Sequence, residues 1–371
     1  MKGCRNPGRL FPAVVFLAQA VSCSREWLAP GPFAPPGAAV PIRSMADPEI
    51  LAPPLKMAWS LKLTAAPGSA ISGVGDVLFV ASKDGRVTLV RAADGKSLRT
   101  QKIADRMEIA CVADPERWIT ASRWGKRTLQ AFRLSDGRAA WREEAGPVES
   151  EPLLFSDRLV VGTDDGRAAS YDPSAGRRIW QIRLDAPVRG YAGAGNVLLF
   201  ATERGSLYCL SAESGKPIWR IQLPGNSNAD PAIVAGRAFI GTVQGRMLAI
   251  GMKQGTLEWN AALEGGIYFP AAADAQAVFA GTSRGIVYSL VPETGTIKWK
   301  ADGHGVIGTA PVISGDWVYF GTFNRFLVAV DRHTGSEIWK TRLKGRVQTT
   351  PLIRGGMLFA GSEENWIYGF K

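Results

Sequence analysis

Histidine is nearly absent from this chain and cysteine is scarce: 371 residues hold two of the first and four of the second. His304 and His333 stand on different copies of the repeat described below, and no pair of Cys or His has the spacing of a metal-binding motif. No Walker phosphate-binding sequence occurs. Beyond the first 22 residues no run of about 20 apolar residues exists, which removes a transmembrane helix from the body of the chain. Acidic residues are outnumbered, 33 against 44 basic, giving a formal net charge of +11.

Glycine, by contrast, is abundant at 42 residues, and it is periodic. At a spacing of 39 to 42 residues one phrase returns eight times: a small-residue pair, a glycine turn, an apolar strand, a second glycine turn, then tryptophan. The clearest copies run from Gly162-Thr163 to Trp180, Ala201-Thr202 to Trp219, Gly241-Thr242 to Trp259, Gly281-Thr282 to Trp299 and Gly321-Thr322 to Trp339. Looser copies begin at Ala81-Ser82 and Ala121-Ser122 and end at Arg99 and Trp141. A truncated copy at Gly361-Ser362 reaches the last residue without its tryptophan, and a lone Trp59 precedes the first copy.

Within one unit, short strand signals at 231–234, 238–242, 246–250 and 256–261 are separated by Gly236, Gly245 and Gly255. Four strands per unit of about 40 residues, repeated, predict a β-propeller, because such sheets bury their faces only by stacking around an axis. The expected fold is all-β: eight four-stranded antiparallel blades over residues 55–371, closed by the strand around Trp59 joining the C-terminal blade. Trp59, Trp141, Trp180, Trp219, Trp259, Trp299 and Trp339 are expected as structural wedges between blades, each indole N–H meeting a backbone acceptor.

The first 22 residues read as a signal peptide. Lys2, Arg5 and Arg9 precede an apolar run too short to span a bilayer, and Ala20-Val21-Ser22-Cys23 has the order of a lipobox, with Cys23 as the lipidation site. Ordinary cleavage without lipid, giving a soluble periplasmic protein, is the alternative. Ser24 directly after the cysteine favours the outer membrane over the inner, with the body facing the periplasm. Residues 23–54 carry eight prolines and read as a tether, or as a leader without a spacing role. Once residues 1–22 are removed the net charge is +8, and the export signal disfavours nucleic acid as a partner. Several arginines flank the glycine turns, among them Arg86, Arg123, Arg167, Arg204 and Arg284, so a basic rim is expected. Cys111 and Cys209 fall two repeats apart, beyond disulfide reach in an eight-fold ring, and read as buried thiols.

The unit Gly-Thr-x-x-Gly through Gly-x-x-x-Trp resembles the repeat of the pyrroloquinoline-quinone (PQQ) propeller family over residues 59–371. That family holds quinoprotein dehydrogenases and also non-catalytic lipoproteins similar to BamB, a subunit of the outer-membrane β-barrel assembly machinery. The resemblance to the second group implies a scaffold with no cofactor, no metal and no catalytic residue, whose partner is an outer-membrane assembly protein or another periplasmic protein. A ligand-sensing or PQQ-binding propeller is the alternative. Quinoprotein alcohol dehydrogenases of this family carry an adjacent Cys-Cys pair and long inter-blade insertions, and this chain has neither. In the BamB group a Leu-Arg-Gly-Glu-Ser run meets the assembly partner; here Gly146-Pro147-Val148 precede Glu149-Ser150.

Thirteen residues before each small-residue pair the repeat loses its consensus, and this is where a propeller can carry a specific surface. These places and their neighbours supply the candidate partner-binding residues Arg106, Glu108, Glu149, Arg189, Asn228, Tyr268, Arg346 and Gln348, with Asp230 beside them.

Overall fold

The computed structural model describes residues 50–106, 111–148 and 150–371. Cys23, Glu108 and Glu149, the signal segment and most of the expected tether lie outside the described residues. The described residues form eight four-stranded antiparallel sheets arranged as an eight-bladed propeller. Blades 1 to 7 follow chain order at 67–102, 112–143, 153–183, 188–222, 232–262, 272–302 and 312–342; blade 8 combines 352–370 with 57–62. In blade 8 the strand Met57–Lys62 lies antiparallel to Trp366–Phe370, pairing Trp59 with Gly369 and Lys62 with Trp366. A parallel bridge from Ala70 to Thr350 sets blade 1 against blade 8.

Blade 5 shows why the sequence folds this way. Its strands are Ala232–Val234, Arg237–Gly241, Arg246–Gly251 and Thr256–Ala262, within two residues of the spans expected from the glycine punctuation. The second and third strands are covered on both faces by neighbouring blades, so they read as continuous apolar runs such as Ala238-Phe239-Ile240. The outermost strand is half covered and alternates, with Trp259 turned inward among polar neighbours. At the turn between the middle strands, Thr242 bonds Arg246 in both directions, its Oγ1 accepting from the Arg246 amide at 3.0 Å.

The turns define two rims. On one, the turn between the first two strands of a blade bonds the turn between its last two, as when the Ala212 amide donates to the Asn196 carbonyl. On the opposite rim, the middle turn of a blade bonds the segment entering that blade: the Val243 amide donates to Asn226, Ser283 to Gly266 and Glu363 to Arg346. The described positions where the repeat loses consensus sit on this second rim.

Six tryptophans latch adjacent blades. The indole N–H of Trp180 donates 2.9 Å to the Ala212 carbonyl of the next blade, and Trp59, Trp141, Trp219, Trp259 and Trp299 do the same to Ala92, Pro173, Met252, Pro292 and Arg332. Each ring lies on the glycine of that turn. A Cβ on Gly215 would come within 2.6 Å of Trp180, and its φ of +68° favours glycine independently. Trp339 meets Phe370 edge-on instead, because blade 8 takes its outermost strand from Met57–Lys62 and so has no turn joining its last two strands.

The seam between blades 1 and 2 is built differently. Arg99 occupies the latch position and is exposed, while Trp118, from the second strand of blade 2, is wholly buried against blade 1. Trp118 stacks on Phe132 at 4.3 Å, where the corresponding pair in blade 4 is Leu198 and Leu210. The indole missing from one side of the seam is supplied from the other. Among the described residues its Nε1 has no hydrogen-bond partner.

Residues 50–56 pack on the ring before the first strand begins. Leu51 and Leu55 are buried, the Leu51 amide donates to Ser314 Oγ at 3.0 Å, and Tyr319 Oη donates to the Leu51 carbonyl at 2.6 Å. This end of the expected tether is therefore fastened to blade 7, on the first rim. Cys111 and Cys209 are free, buried thiols, and burial pushes them up to about 12 and about 11.

Candidate functional site

The second rim carries an ion-pair chain across three blades. Arg123 meets Asp164 at 2.6 Å, Asp164 meets Arg189 at 2.9 Å, and Arg189 reaches Glu203 at 2.7 Å. Arg167 pairs with Asp165 at 2.6 Å and Arg86 with Asp84. Burial works to raise the Asp165 carboxyl, but hydrogen bonds from Arg167 and Thr163 outweigh it and hold the group below the usual carboxylate range. The rim is thus not the uniformly basic surface that the sequence suggests. Around blades 1 to 4, Arg86, Arg123, Arg167 and Arg189 pair with Asp84, Asp164 and Asp165 of the middle turns of blades 1 and 3.

The candidate residues separate into two groups. Arg189 is committed to the ion-pair chain, Gln348 donates 2.7 Å to the Pro67 carbonyl across the junction of blades 8 and 1, and Asp230 accepts from the Tyr191 amide at 3.0 Å. These three brace blade junctions. Arg106, Asn228 and Tyr268 are exposed on the rim, Tyr268 by 48%. Arg346 is exposed as well, 3.5 Å from Glu363 and with its guanidinium over the Phe323 ring at 5.7 Å. Glu108 and Glu149 lie outside the described residues. The six described places do not converge on one point; they are spread around the rim.

Two features escaped the sequence reading. The middle turn of blade 2 has five residues, Arg123-Trp124-Gly125-Lys126-Arg127, where that of blade 3 has three, and it exposes Trp124 by 53%. Between blades 7 and 8 a cleft of about 690 Å³ opens, lined by Phe323, Arg325, Phe326, Arg342, Arg346 and Glu363, with Asn324 and Glu364 beside them. Arg325 holds φ at +74°, where blades 1, 3, 4, 5 and 6 place Gly85, Gly166, Gly205, Gly245 and Gly285 at +75° to +81°. A left-handed arginine costs about 1 kcal/mol that glycine avoids. The signal was present in the sequence as an arginine standing where the repeat has its first glycine.

Among the described residues no arrangement of nucleophile and base emerges. The letters Gly-x-Ser-x-Gly do occur once, at residues 281–285, but they form the middle turn of blade 6, and Ser283 Oγ accepts from the Gly266 amide at 3.0 Å. His304 faces Glu337 and Lys340, and His333 faces Asp316. Among the described residues no three His, Cys, Asp or Glu side chains gather as metal ligands, so the donor set does not fit the calcium that holds PQQ in quinoproteins.

The family model described as outer membrane protein assembly factor BamB matches residues 56–192, 183–302 and 283–371, nearly all of the described body. The chain belongs to the BamB family. Among curated BamB proteins, that of Burkholderia pseudomallei is 28% identical over 156 residues, 40% of each chain. That of Nitrosomonas eutropha is 29% identical over 92 residues, 24% of this chain and 22% of the relative. The aligned stretches thus span less than half of either BamB relative. The crystal structure of BamB from Moraxella catarrhalis superimposes with a TM-score of 0.74 at 20% identity, covering 85% of this chain and 99% of that one. A quinohemoprotein alcohol dehydrogenase from Pseudomonas putida HK5 follows at 0.69 and 12% identity, covering 85% and 76%. At such identities the structural likenesses speak for the fold alone.

Proposed function

We propose that the protein is a non-catalytic scaffold in outer-membrane protein assembly, anchored by lipid at Cys23 with its propeller facing the periplasm. Family membership over residues 56–371 carries this reading. The rim supports it: it offers exposed aromatic and arginine side chains, the types that dominate protein interfaces, at scattered places rather than around a closed pocket. The attachment of residues 50–56 to blade 7 adds an orientation. Whatever precedes Ile50 joins the first rim, so an anchored ring presents the opposite rim, with Trp124, Tyr268 and Arg346, to its partners.

The deciding experiment is affinity recovery of the full-length lipoprotein from detergent-solubilised membranes. Co-purification of a barrel-assembly pore protein, together with release of the propeller itself from the membrane fraction in Cys23→Ala, supports both scaffold and anchor. A Cys23→Ala protein that still sediments with outer membranes contradicts the anchor. Saturable, stoichiometric binding of PQQ with calcium, followed by absorbance, contradicts the scaffold and favours a quinone-binding propeller.

A further inference from the structure

The cleft between blades 7 and 8 gathers three arginines against two carboxylates, Glu363 and Glu364. Arg325, Arg342 and Arg346 line it. Arg346 lies 3.5 Å from Glu363, whereas Arg325 and Arg342 enter no ion pair among the described residues. In blades 1 and 3, by contrast, the arginine after the middle turn is paired within its own turn, Arg86 with Asp84 and Arg167 with Asp165. Phe323 and Phe326, both part-buried, give the cleft an apolar lining between the charges.

Arg325 sharpens the point. The middle turn closes with glycine in five blades, and the same turn closes here with the same bonds: the Arg325 amide donates to Thr322 at 3.2 Å and its carbonyl accepts from Leu343 at 2.8 Å. Nothing in the fold asks for a side chain at this place, and the backbone is strained to keep one. A left-handed non-glycine at this turn occurs elsewhere among the blades only at Asn365, and a strained side chain where glycine would serve is a ground for seeking a role for it.

We propose that this cleft binds an extended acidic peptide segment of a partner protein. The inference rests on the scaffold reading and names the chemistry of one contact. Carboxylates of the segment meet Arg325 and Arg342, and apolar side chains between them lie on Phe323 and Phe326. A phosphorylated small molecule is a poorer fit, because Glu363 and Glu364 at the cleft repel its charge, whereas a peptide brings backbone N–H groups that those carboxylates accept.

The test uses purified full-length protein and fluorescein-labelled heptapeptides read by fluorescence anisotropy: one of alternating Asp and Leu, one with Ser in place of Asp, one with Lys. The Asp peptide is expected to bind at least tenfold more tightly than the Ser peptide, with affinity falling as NaCl rises, and the Lys peptide is expected not to bind. Arg325→Gly installs the residue that five other blades use. It is expected to weaken the Asp peptide about tenfold while Tm stays level or rises, so binding and stability move apart. Arg342→Gln is expected to weaken binding similarly. Equal affinity for the Asp and Ser peptides, binding indifferent to both substitutions, or displacement by inorganic phosphate at constant ionic strength each overturns the proposal. A protein that recovers barrel-assembly partners but ignores acidic peptides refutes this inference alone; one that binds the peptide yet recovers no such partner refutes the scaffold reading.

Discussion

The seam between blades 3 and 4 and the seam between blades 1 and 2 solve the same packing problem from opposite sides. In the first, Trp180 reaches forward from an outermost strand, lies on Gly215 and donates to Ala212, while Leu198 and Leu210 receive it. In the second, blade 2 reaches back with Trp118 from a second strand, Phe132 stacks on it, and the forward position holds an exposed Arg99. A large ring fills each seam, but only the forward ring is also tied by a hydrogen bond near the edge of the disc. The lesson is that the repeat conserves volume between blades rather than a particular residue. Polar satisfaction is separable from that volume.

The sharpest way to break the comparison is to remove a seam that both chain ends build. Trp59 lies between Gly369 of its own blade and Gly95 of blade 1. Deleting residues 55–64 is expected to abolish a single cooperative transition in calorimetry; loss of only local protection would show that the other seams hold the ring without it. Next comes Trp180→Ala, which empties a nearly buried site and strips the Ala212 carbonyl of its donor, for an expected loss of about 3–5 kcal/mol in denaturant unfolding. Trp118→Leu restores the pairing used in blade 4 but leaves the forward position unfilled, and about 1–3 kcal/mol is expected, softened by removal of an unpartnered N–H. Were it to equal Trp180→Ala, the distinction between forward and backward filling would fail.

Arg99→Trp sharpens the comparison from the other direction. Gly137 already holds φ at +66° in the turn that would receive the ring. The substitution is expected to add about 1 kcal/mol, seen as a higher Tm, with partner recovery unchanged. Lost recovery would instead mark Arg99 as a contact residue.

The smallest effect concerns acid. Burial works to raise the Asp185 carboxyl, but Ser206 and Thr202 donate to it and Arg220 lies 2.7 Å away, and together they hold it below the usual carboxylate range. A depressed folded value gives stability that is present above the unfolded value, roughly pH 4, and is lost as pH falls through the folded one. Asp185→Asn is therefore expected to flatten the acid limb of a Tm-against-pH curve slightly and to leave its neutral region lower.

Much of the fold was legible because a repeat states its periodicity many times. Gly236, Gly245 and Gly255 placed the strands of blade 5 within two residues, and the unmatched Trp59 and Gly361-Ser362 announced a blade shared between chain ends. The site was less legible because its residues differ from the repeat individually. Nothing in the letters says that Gln348 would reach Pro67 across a junction, or that Arg189 would be consumed by Asp164, since both depend on distances between blades. Trp118 and Arg325 were readable in hindsight as departures at fixed repeat positions, one a tryptophan where the equivalents are leucine, valine or alanine, the other an arginine in place of glycine. A departure from the repeat is informative in either direction, toward larger as well as toward variable.

The short strap ahead of the first strand also has a mechanical meaning. If the protein is held to a membrane by its leading end, any pull between membrane and partner enters the molecule at Ile50. The load meets the Leu51 bonds to Ser314 and Tyr319, and the buried Leu51 and Leu55, before it reaches the edge strand Met57–Lys62. Tension is thereby delivered to blade 7 as shear over a buried patch instead of peeling the edge strand from Trp366–Phe370 one bond at a time. Under such an anchor the strap would work as strain relief, like the clamp that keeps a cable's tug off its soldered joint.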